Sequence, residues 1–345
     1  MRIFAVVGVF TILAACASAP KEEAPAAAAF SFAVIGDIPY NDEDRAVLKD
    51  DIVPVILEGD TPFVIHLGDY KSGGAPCTAQ EDEAMLGLIE SLSPKTVFYT
   101  PGDNEWTDCD RFVDPETGEP MSELARLDRL RSLFFSDPAS GPEEMRVKAH
   151  PHTRENKTWD YGGVRFATIH VVGTGNGRRA VMGDDPQAAA ARADRRENAA
   201  VNWIRLAGYA AEIEKADALV FTVHADMSDV EEGVRGVPCE GASASRDQLC
   251  DAFVNLRKEV RKAAVRFGGP TLLIHGDTAP FTLAQSFAGD EAENLWVLNA
   301  AGDHGVTGEG FHYGVQDSTL VTVTPGAENP FSASGLATMA RPGSH

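Results

Sequence analysis

The chain has 345 residues, of which 43% are hydrophobic, and a formal net charge of −22 from 52 acidic and 30 basic residues. A chain of this length can bury one large hydrophobic core or two small ones. The acidic balance argues against a nucleic-acid partner, because nucleic-acid grooves depend on clustered lysine and arginine. It does not exclude a small phosphorylated substrate, since a bound cation reverses the local field.

The N-terminus has the form of an export signal. Arg2 precedes an apolar stretch, residues 3–13, that is too short to cross a membrane as a mature helix. The stretch ends in the sequence LAAC, which resembles the lipobox of bacterial lipoproteins, whose cysteine is lipidated. We therefore predict a signal peptide over residues 1–16 and a lipid anchor to the membrane at Cys16.

Residues 17–29 have the small and proline-containing composition of a flexible tether. Cleavage after Ala19 is the alternative to the lipobox, but Pro20 would follow that cut and disfavours it. No aspartate follows Cys16, and the resemblance to lipoproteins then implies the periplasmic face of the outer membrane if the source is Gram-negative. A soluble periplasmic or secreted protein is the alternative location.

Apolar periodicity predicts strands and helices that alternate along the chain. This order indicates parallel strands joined by right-handed crossovers, and Pro54 is expected to kink or shorten the first helix. The segments 295–302 and 318–325 alternate apolar and polar residues, as antiparallel strands with one exposed face do. The other predicted strands cover residues 30–35, 63–67, 96–99, 159–161, 164–172, 218–223 and 271–274, and the predicted helices cover residues 41–57, 78–91, 122–135, 185–215 and 245–267.

Four cysteines remain after Cys16, an even number that suits an oxidising compartment. Cys77 and Cys109 each follow a Gly-Asp strand end, so their loops should be neighbours at one sheet edge. Cys239 and Cys250 flank a single loop. We predict these two disulfides, with free buried thiols as the alternative; none of the spacings is a short zinc-ligand pair.

Acidic residues and histidines follow five of the predicted strands. Ligands bind at the carboxyl ends of strands in an open α/β sheet, and several carboxylates at one edge repel each other unless a cation lies among them. The sequence therefore predicts a metal site. Its candidate ligands are Asp37, Asp69, Asp103, His224, His275 and Asp277.

The order of these motifs resembles the calcineurin-like metallophosphoesterase family. That family's pattern runs Asp-x-His, Gly-Asp, Gly-Asn-His-Asp/Glu, a lone His, then Gly-His-x-His, and the most distinctive stretches here are VIHLGD, VFYTPGDNEW and LLIHGDT. The resemblance spans residues 30–323. It implies an α/β fold, a four-layer α/β/β/α sandwich of two mixed sheets flanked by helices, in a single domain over residues 30–330 with a C-terminal tail over residues 331–345.

Carried over from the family, each strand-end residue has an implied role. Asp37 would bind the first metal, and Asp69 would bridge two metals. Asp103 stands where the family has its asparagine ligand, His224 matches the lone histidine, and Asp277 stands where the last pair begins. The resemblance implies hydrolysis of a small phosphoester by a metal-activated water, with one or two divalent cations as cofactors.

Three residues depart from the family pattern. Pro39 replaces the histidine of the first motif, Asn104 occupies the position of the catalytic histidine, and Ala279 replaces the last histidine. Exchanging imidazoles for carboxylates favours hard cations such as Mg, Ca or Mn over Zn. These departures support an alternative function, a non-catalytic binding or scaffold lipoprotein of the cell envelope with the same fold.

Other residues are candidates for roles beside the metals. His170 ends a predicted strand near a glycine-rich loop and is the best substitute general acid. Arg178 and its neighbour Arg179 could steer a phosphate into the site, although exposed arginines are commonly just solvated. Glu105 is either an acid–base group or a helix cap. A carbohydrate-active hydrolase is a further alternative, but no residue pair identifies its two carboxylates.

Overall fold

Two β-sheets form the centre of the molecule. The computed structural model describes residue 1 and residues 28–137, 140–179, 181–239, 250–285, 292–306 and 312–343. Cys16, nearly all of the predicted signal peptide and most of the predicted tether lie outside these residues. The strands are β1 (Phe30–Ile35), β2 (Phe63–His66), β3 (Thr96–Tyr99), β4 (Lys148–Ala149), β5 (Lys157–Tyr161), β6 (Val164–Thr168), β7 (Ala218–Thr222), β8 (Thr271–His275), β9 (Thr282–Gln285), β10 (Leu295–Asn299), β11 (Gly302–Val306), β12 (His312–Val315), β13 (Thr319–Val323) and β14 (Phe331–Gly335).

The helices alternate with the strands as predicted, except that the last one begins at Val254 rather than at residue 245. Residues 245–249 lie outside the described part of the chain. The helices are α1 (Asp42–Val47), a π-helical segment (Leu48–Ile52), α2 (Val53–Glu58), α3 (Ala79–Ser91), α4 (Glu123–Phe134), the single turn α5 (Gly173–Gly177), α6 (Pro186–Glu214) and α7 (Val254–Phe267). Thr78, Ser122 and Asp185 cap α3, α4 and α6 with side-chain oxygens. None of the helices among the described residues is long and apolar enough to cross a bilayer.

Both sheets are mixed, which confirms the predicted fold class. The first has the order β14-β13-β1-β2-β3 and the second β4-β5-β6-β7-β8-β10-β9. Strands β1, β2 and β3 run parallel, as do β6, β7, β8 and β10. In register, Ile35 lies beside His66 and His66 beside Tyr99, so the segments carrying Asp37, Asp69 and Asp103 leave the sheet side by side.

The side chains sort into four layers. In β1, Phe32 and Val34 point into the core between the sheets, where Phe166 of the second sheet meets them. Ala33 and Ile35 point the other way, against α1, the π-helical segment and α2. The outer face of the second sheet packs against α6 and α7. Because β1 is covered on both faces, its residues are apolar on both faces, apart from the partly exposed Ser31 near its start.

The first helix is not shortened at Pro54, which was one of the two predicted outcomes; the other, a kink, stays a prediction. It runs from Asp42 to Glu58 without a break, and a π-helical segment stands immediately before α2, in which Pro54 occupies the first turn. Proline has no N–H to donate and its ring collides with the preceding turn. The wider π turn gives the ring space, so the helix is neither shortened nor ended.

The direction of one late strand was predicted wrongly. β13 is antiparallel to β1 and β14, as expected, but β10 runs parallel to β8 and is antiparallel only to β9. The alternation in residues 295–302 reflects partial exposure near the sheet edge, and exposure does not report strand direction. The first sheet also continues through β14 into the segment predicted as a tail.

Both predicted disulfides are present. Cys77 is bonded to Cys109, and Cys239 to Cys250. The first bridge joins the loop after β2 to the loop after β3. It therefore links the two chain segments that carry Asp69 and Asn104.

Candidate metal centre

Four aspartates at or just after strand ends share a backbone conformation. Asp37, Asp69, Asp277 and Asp303 have φ angles of 56°, 54°, 68° and 48°. This left-handed region is uncommon for residues other than glycine, although aspartate tolerates it better than most. Such conformations cost of order 1 kcal/mol or more each and cluster where the chain has a functional task.

The strand-end side chains converge as two groups that could hold a cation. Asp37, Asp69 and His224 form the first group, and Asp103, His224 and Asp277 the second. Within each group the ligand atoms lie within 4.8 Å of one another. Asp37, Asp69, Asp103 and His224 are buried, so the carboxylates have little water to separate their charges.

His224 carries the strongest sign of a cation site. Its Nδ1 lies 3.1 Å from the carbonyl oxygen of Leu67, which can only accept, so Nδ1 holds a proton. Its Nε2 faces carboxylate oxygens of Asp69, Asp103 and Asp277 at 3.4, 3.5 and 3.6 Å. Burial alone would lower the pKa of His224, but the surrounding carboxylates raise it well above its ordinary value, so without a cation Nε2 also holds a proton.

Three carboxylates around one imidazole nitrogen repel each other unless a positive charge lies between them, and a cation can supply that charge in place of the proton on Nε2. Ligand atoms bonded at about 2.1 Å to one cation lie roughly 3.0–3.4 Å apart, close to the distances around His224. The arrangement therefore fits a divalent cation.

The titration of the site leads to the same conclusion. Burial raises the pKa of Asp37 and Asp69, and burial together with the Asp103 charge raises the pKa of Asp277 to about 8. The pKa of Asp103 is instead lowered, because its interaction with His224 outweighs the effect of burial. Without a cation the site must bind protons to stay folded, and a cation would take their place.

Asp303 belongs to the same centre but was not among the predicted ligands. Burial, and next the charge of Asp37, raise the pKa of Asp303 to about 7. Its backbone N–H donates to the carbonyl oxygen of Asp37 at 2.9 Å. The sequence signal was weak, because Asp303 follows a strand in the glycine-containing segment NAAGDHG, outside any family motif quoted above.

Tyr40 and Asn104 line the carboxylates. The Tyr40 hydroxyl lies 3.0 Å from Asp69 Oδ2 and 3.3 Å from Asp37 Oδ1, so it can donate to either. The backbone N–H of Asn104 donates to Asp69 Oδ1 at 3.1 Å, and its side-chain amide donates to Asp69 Oδ2. Sequence reasoning missed Tyr40; its signal was a hydroxyl three residues after Asp37, directly beside the unexpected Pro39.

The α5 turn closes one side of the centre. Thr174, Gly175 and Asn176 are all left-handed, so α5 is a left-handed turn rather than an ordinary helix. The Thr174 hydroxyl lies 3.2 Å from Asp103 Oδ2 and 3.0 Å from Asp108 Oδ1, and can donate to either. This places the glycine-rich loop of the sequence directly against a proposed ligand.

Two glycines are required by the close approach of the carboxylates. A Cβ atom on Gly102 would collide with Asp69 Oδ1, and one on Gly276 would collide with Asp37 Oδ2. The Gly-Asp pairs of the sequence are thus explained by crowding between one strand end and the carboxylate of another.

Glu105 positions the backbone of the site. Its carboxylate accepts from the N–H of Asp69 at 3.0 Å, the N–H of Gly102 at 2.7 Å and the hydroxyl of Tyr99 at 2.8 Å. Glu105 is fully buried. It ties the loop after β2 to the loop after β3 and is neither a helix cap nor exposed for proton transfer.

His170 lies in a different buried network. Its Nδ1 is 2.7 Å from Glu155 Oε1, its ring packs against Trp106, and it has no exposed surface. Burial lowers the pKa of His170 to about 4, so the ring is neutral near pH 7. Against the expectation from sequence, this placement does not suit a general acid, because a neutral, enclosed ring cannot deliver a proton to a substrate.

Arg178 and His275 also differ from their expected placement. Arg178 Nη2 donates to Asp194 at 2.7 Å and Glu197 at 2.9 Å, so its charge is already neutralised and its side chain is buried. His275 Nδ1 lies 2.9 Å from the carbonyl oxygen of Gly276, and His275 is in neither ligand group. The sequence could not identify these partners, because Asp194 and Glu197 lie far from Arg178 along the chain and the partner of His275 is a backbone carbonyl group.

A two-sheet sandwich with carboxylates and a histidine at its strand ends fits a metal-dependent phosphoesterase. The chain belongs to the calcineurin-like phosphoesterase family, whose family model matches residues 30–281. The resemblance inferred from the motifs is thereby confirmed.

A solved structure shows the same fold: PhoD superposes with a TM-score of 0.52 at 13% identity, over 90% of this chain and 67% of the PhoD chain. GAP50, described as the anchor in the inner membrane complex of Plasmodium, gives a TM-score of 0.46 at 10% identity, over 91% of this chain and 87% of its own. No curated protein matches in sequence.

Proposed function

We propose that this chain is a phosphoesterase of the cell envelope that hydrolyses a small phosphoester with water activated by one or two divalent cations. The observation that carries the proposal is the convergence of carboxylate oxygens of Asp69, Asp103 and Asp277 on the buried Nε2 of His224. The oxygen-rich donor set favours Mg, Mn or Ca, with Zn as the alternative.

His224 has one lone pair and so binds one cation. We assign Asp69, Asp103 and Asp277 to the same cation, because their oxygens face that lone pair. A second cation would be held by Asp37 and Asp69, with Asp303 close to Asp37. His275 is not retained as a ligand.

A bound cation would polarise a phosphoryl oxygen and lower the pKa of a water molecule. The chain itself supplies hydrogen-bond donors: the amide of Asn104 and the hydroxyl of Tyr40 both lie at Asp69. Burial, and next the Asp69 charge, raise the pKa of Tyr40 well above its ordinary value, so the hydroxyl keeps its proton. Both groups can hold a phosphoryl oxygen in place.

Neither Asn104 nor Tyr40 readily gives up a proton near neutral pH. The leaving group would therefore depart without protonation by these two residues. We expect turnover to rise steeply with the acidity of the leaving group, so that aryl phosphoesters are hydrolysed faster than alkyl ones.

We further propose export and lipidation at Cys16. Two disulfides support an oxidising compartment, where such bonds persist. In this proposal residues 1–16 are removed, residues 17–29 tether the domain to the outer membrane, and residues 30–330 carry the catalytic domain. Cys16→Ser should abolish labelling by a palmitate analogue and move the chain from the membrane fraction to the soluble periplasm; unchanged labelling would contradict lipidation at Cys16.

The catalytic proposal is tested with the full chain purified in detergent. Chromogenic phosphomonoesters and phosphodiesters are assayed with Mn, Mg, Ca and Zn for the wild type, Asp69→Asn and, as a matched control, the exposed Asp60→Asn. We expect metal-dependent turnover that falls at least about 100-fold in Asp69→Asn, because a charged ligand is lost, and persists in Asp60→Asn. A metal-dependent melting shift without turnover under any metal would instead establish the non-catalytic alternative.

A further inference from the structure

A basic pocket of about 440 Å³ lies between α4, the segment before β5 and α6. Four arginines and two histidines line it, together with the exposed amide side chain of Asn198. In a chain with 52 acidic and 30 basic residues, this concentration of cations is unusual. The six cationic or titratable residues are Arg131, His150, His152, Arg192, Arg195 and Arg196.

The pocket carries more positive charge than its neighbours neutralise. Arg131 pairs with Glu155 at 2.6 Å, and Arg192 pairs with Asp128. Within the part of the chain that the structure describes, Arg195 and Arg196 have no carboxylate within 4.0 Å. Four guanidinium groups are thus balanced by two carboxylates, which leaves an excess of about two positive charges.

The excess positive charge is energetically unfavourable at Arg196. It is only 3% exposed, its guanidinium lies 4.9 Å from the centre of the Trp106 ring, and its Nε has no hydrogen-bond partner among the described residues. Its Nη2 donates to both oxygens of Asn176, which are neutral. Burial, and next the charge of Arg131, lower the pKa of Arg196 to about 9. A buried cation without a carboxylate is destabilising unless an anion approaches it.

His150 is a further hydrogen-bond donor of the pocket. His150 Nδ1 accepts from the N–H groups of His152 at 3.3 Å and Thr153 at 3.0 Å, so the neutral ring carries its proton on Nε2. Arginine forks suit the oxygens of a phosphate, which only accept. The exposed Arg195 leaves the pocket accessible from solvent.

We propose that this pocket binds the phosphate group of a small soluble molecule, at a site separate from the metal centre. None of its lining residues belongs to either ligand group of that centre. The inference does not depend on the proposed catalytic function, because it rests on a different cluster of side chains.

The metal-free protein provides a clean test. Without cations the metal centre is a cluster of acidic groups and repels phosphate, so phosphate bound in the presence of a chelator must lie elsewhere. Inorganic phosphate is titrated by calorimetry into the full chain in detergent with EDTA. The variants are Arg195→Ala and Arg192→Ala/Arg195→Ala; the matched control is Arg205→Ala, which removes a half-exposed, ion-paired arginine from the same helix.

We expect saturable binding of phosphate to the wild type and to Arg205→Ala. Binding should weaken about tenfold in Arg195→Ala and further in the double variant, because each loses charge-assisted hydrogen bonds. Circular dichroism checks that both variants are folded, which is expected because Arg192 and Arg195 are not in the core. Absence of phosphate binding, or equal binding by the double variant, would overturn the proposal.

A phosphate group can also come from a lipid. Flotation with phosphatidylglycerol vesicles is therefore compared for the same variants in a Cys16→Ser background, so that the proposed lipid anchor does not itself bind the vesicles. Binding that depends on Arg195 for inorganic phosphate but not for vesicles supports a soluble ligand. Dependence on Arg195 for vesicles alone would refute the soluble-ligand assignment.

Discussion

The substitution Glu123→Gln should destabilise the fold at about pH 5 and stabilise it at about pH 8. Glu123 is the first residue of α4, is 1% exposed and lies against the carboxyl group of Asp110. Burial, and next the Asp110 charge, raise the pKa of Glu123 from 4.5 to about 10. The folded chain therefore holds a proton on Glu123 that the unfolded chain releases near neutral pH.

The sign and size follow from proton linkage. A group whose pKa is raised in the folded state stabilises the fold fully at pH values below its unfolded-state pKa. This stabilisation is lost as the pH rises towards the folded-state pKa. At about pH 8, some 3.5 units above the unfolded value, the loss approaches about 4–5 kcal/mol, whereas at about pH 5 it is under about 1 kcal/mol. Glutamine has the same shape and no titration, but its extra N–H lacks a partner, which costs about 1–3 kcal/mol.

Glu123→Gln should therefore stabilise the fold by roughly 2 kcal/mol at about pH 8 and destabilise it by about 1 kcal/mol at about pH 5. Urea unfolding followed by tryptophan fluorescence at both pH values measures the difference. Glu119→Gln, an exposed acid in the preceding loop, is the control and should change stability by less than about 0.5 kcal/mol at either pH. The same effect of Glu123→Gln at both pH values would show that Glu123 is not protonated in the folded chain.

Three further results are expected. Gly102→Ala should weaken metal binding more than about tenfold, because the new Cβ collides with Asp69. The control Gly87→Ala in α3 places its Cβ within 4 Å of no atom and should stabilise the fold by about 0.5–1 kcal/mol. Equal metal-induced melting shifts in the two variants would contradict the collision between residue 102 and Asp69. Because Asp277 has a pKa of about 8 without metal, the affinity of the chain for Mn, measured by calorimetry, should rise about tenfold per pH unit from about pH 6 to about pH 8. The affinity of Asp277→Asn should depend less on pH. A wild-type Mn affinity that does not change with pH would argue against displacement of a proton by the metal. Replacing both Cys77 and Cys109 by serine should cost about 3–4 kcal/mol for this separation of 32 residues and weaken metal binding, as measured by urea unfolding and calorimetry; unchanged metal affinity would mean that the bridge does not support the site.

The elements and the convergence of strand ends were predictable because both depend on local pattern. Apolar runs such as β1, ended by Gly-Asp, identify buried strands without knowledge of their partners. Parallel order then places Asp37, Asp69 and Asp103 at one edge. The caps Thr78 and Ser122 were equally readable, since capping depends on residues three positions apart.

Features that depend on distant partners were not predictable. Arg178 stands beside a glycine-rich loop in the sequence, but Asp194 and Glu197 on α6 decide its role. His170 is likewise decided by Glu155, fifteen residues earlier. Tyr40 has no motif of its own and gains its place only when Asp69 folds against it.

The left-handed aspartates affect how this site can be dissected by mutagenesis. At Asp37, Asp69, Asp277 and Asp303 an alanine would remove a carboxylate and also occupy a backbone region that alanine tolerates poorly. Alanine scanning would mix these two losses and exaggerate the apparent importance of each side chain. Asparagine, which accepts the same backbone geometry while removing only the charge, isolates the electrostatic part, and glycine isolates the part due to the side chain as a whole.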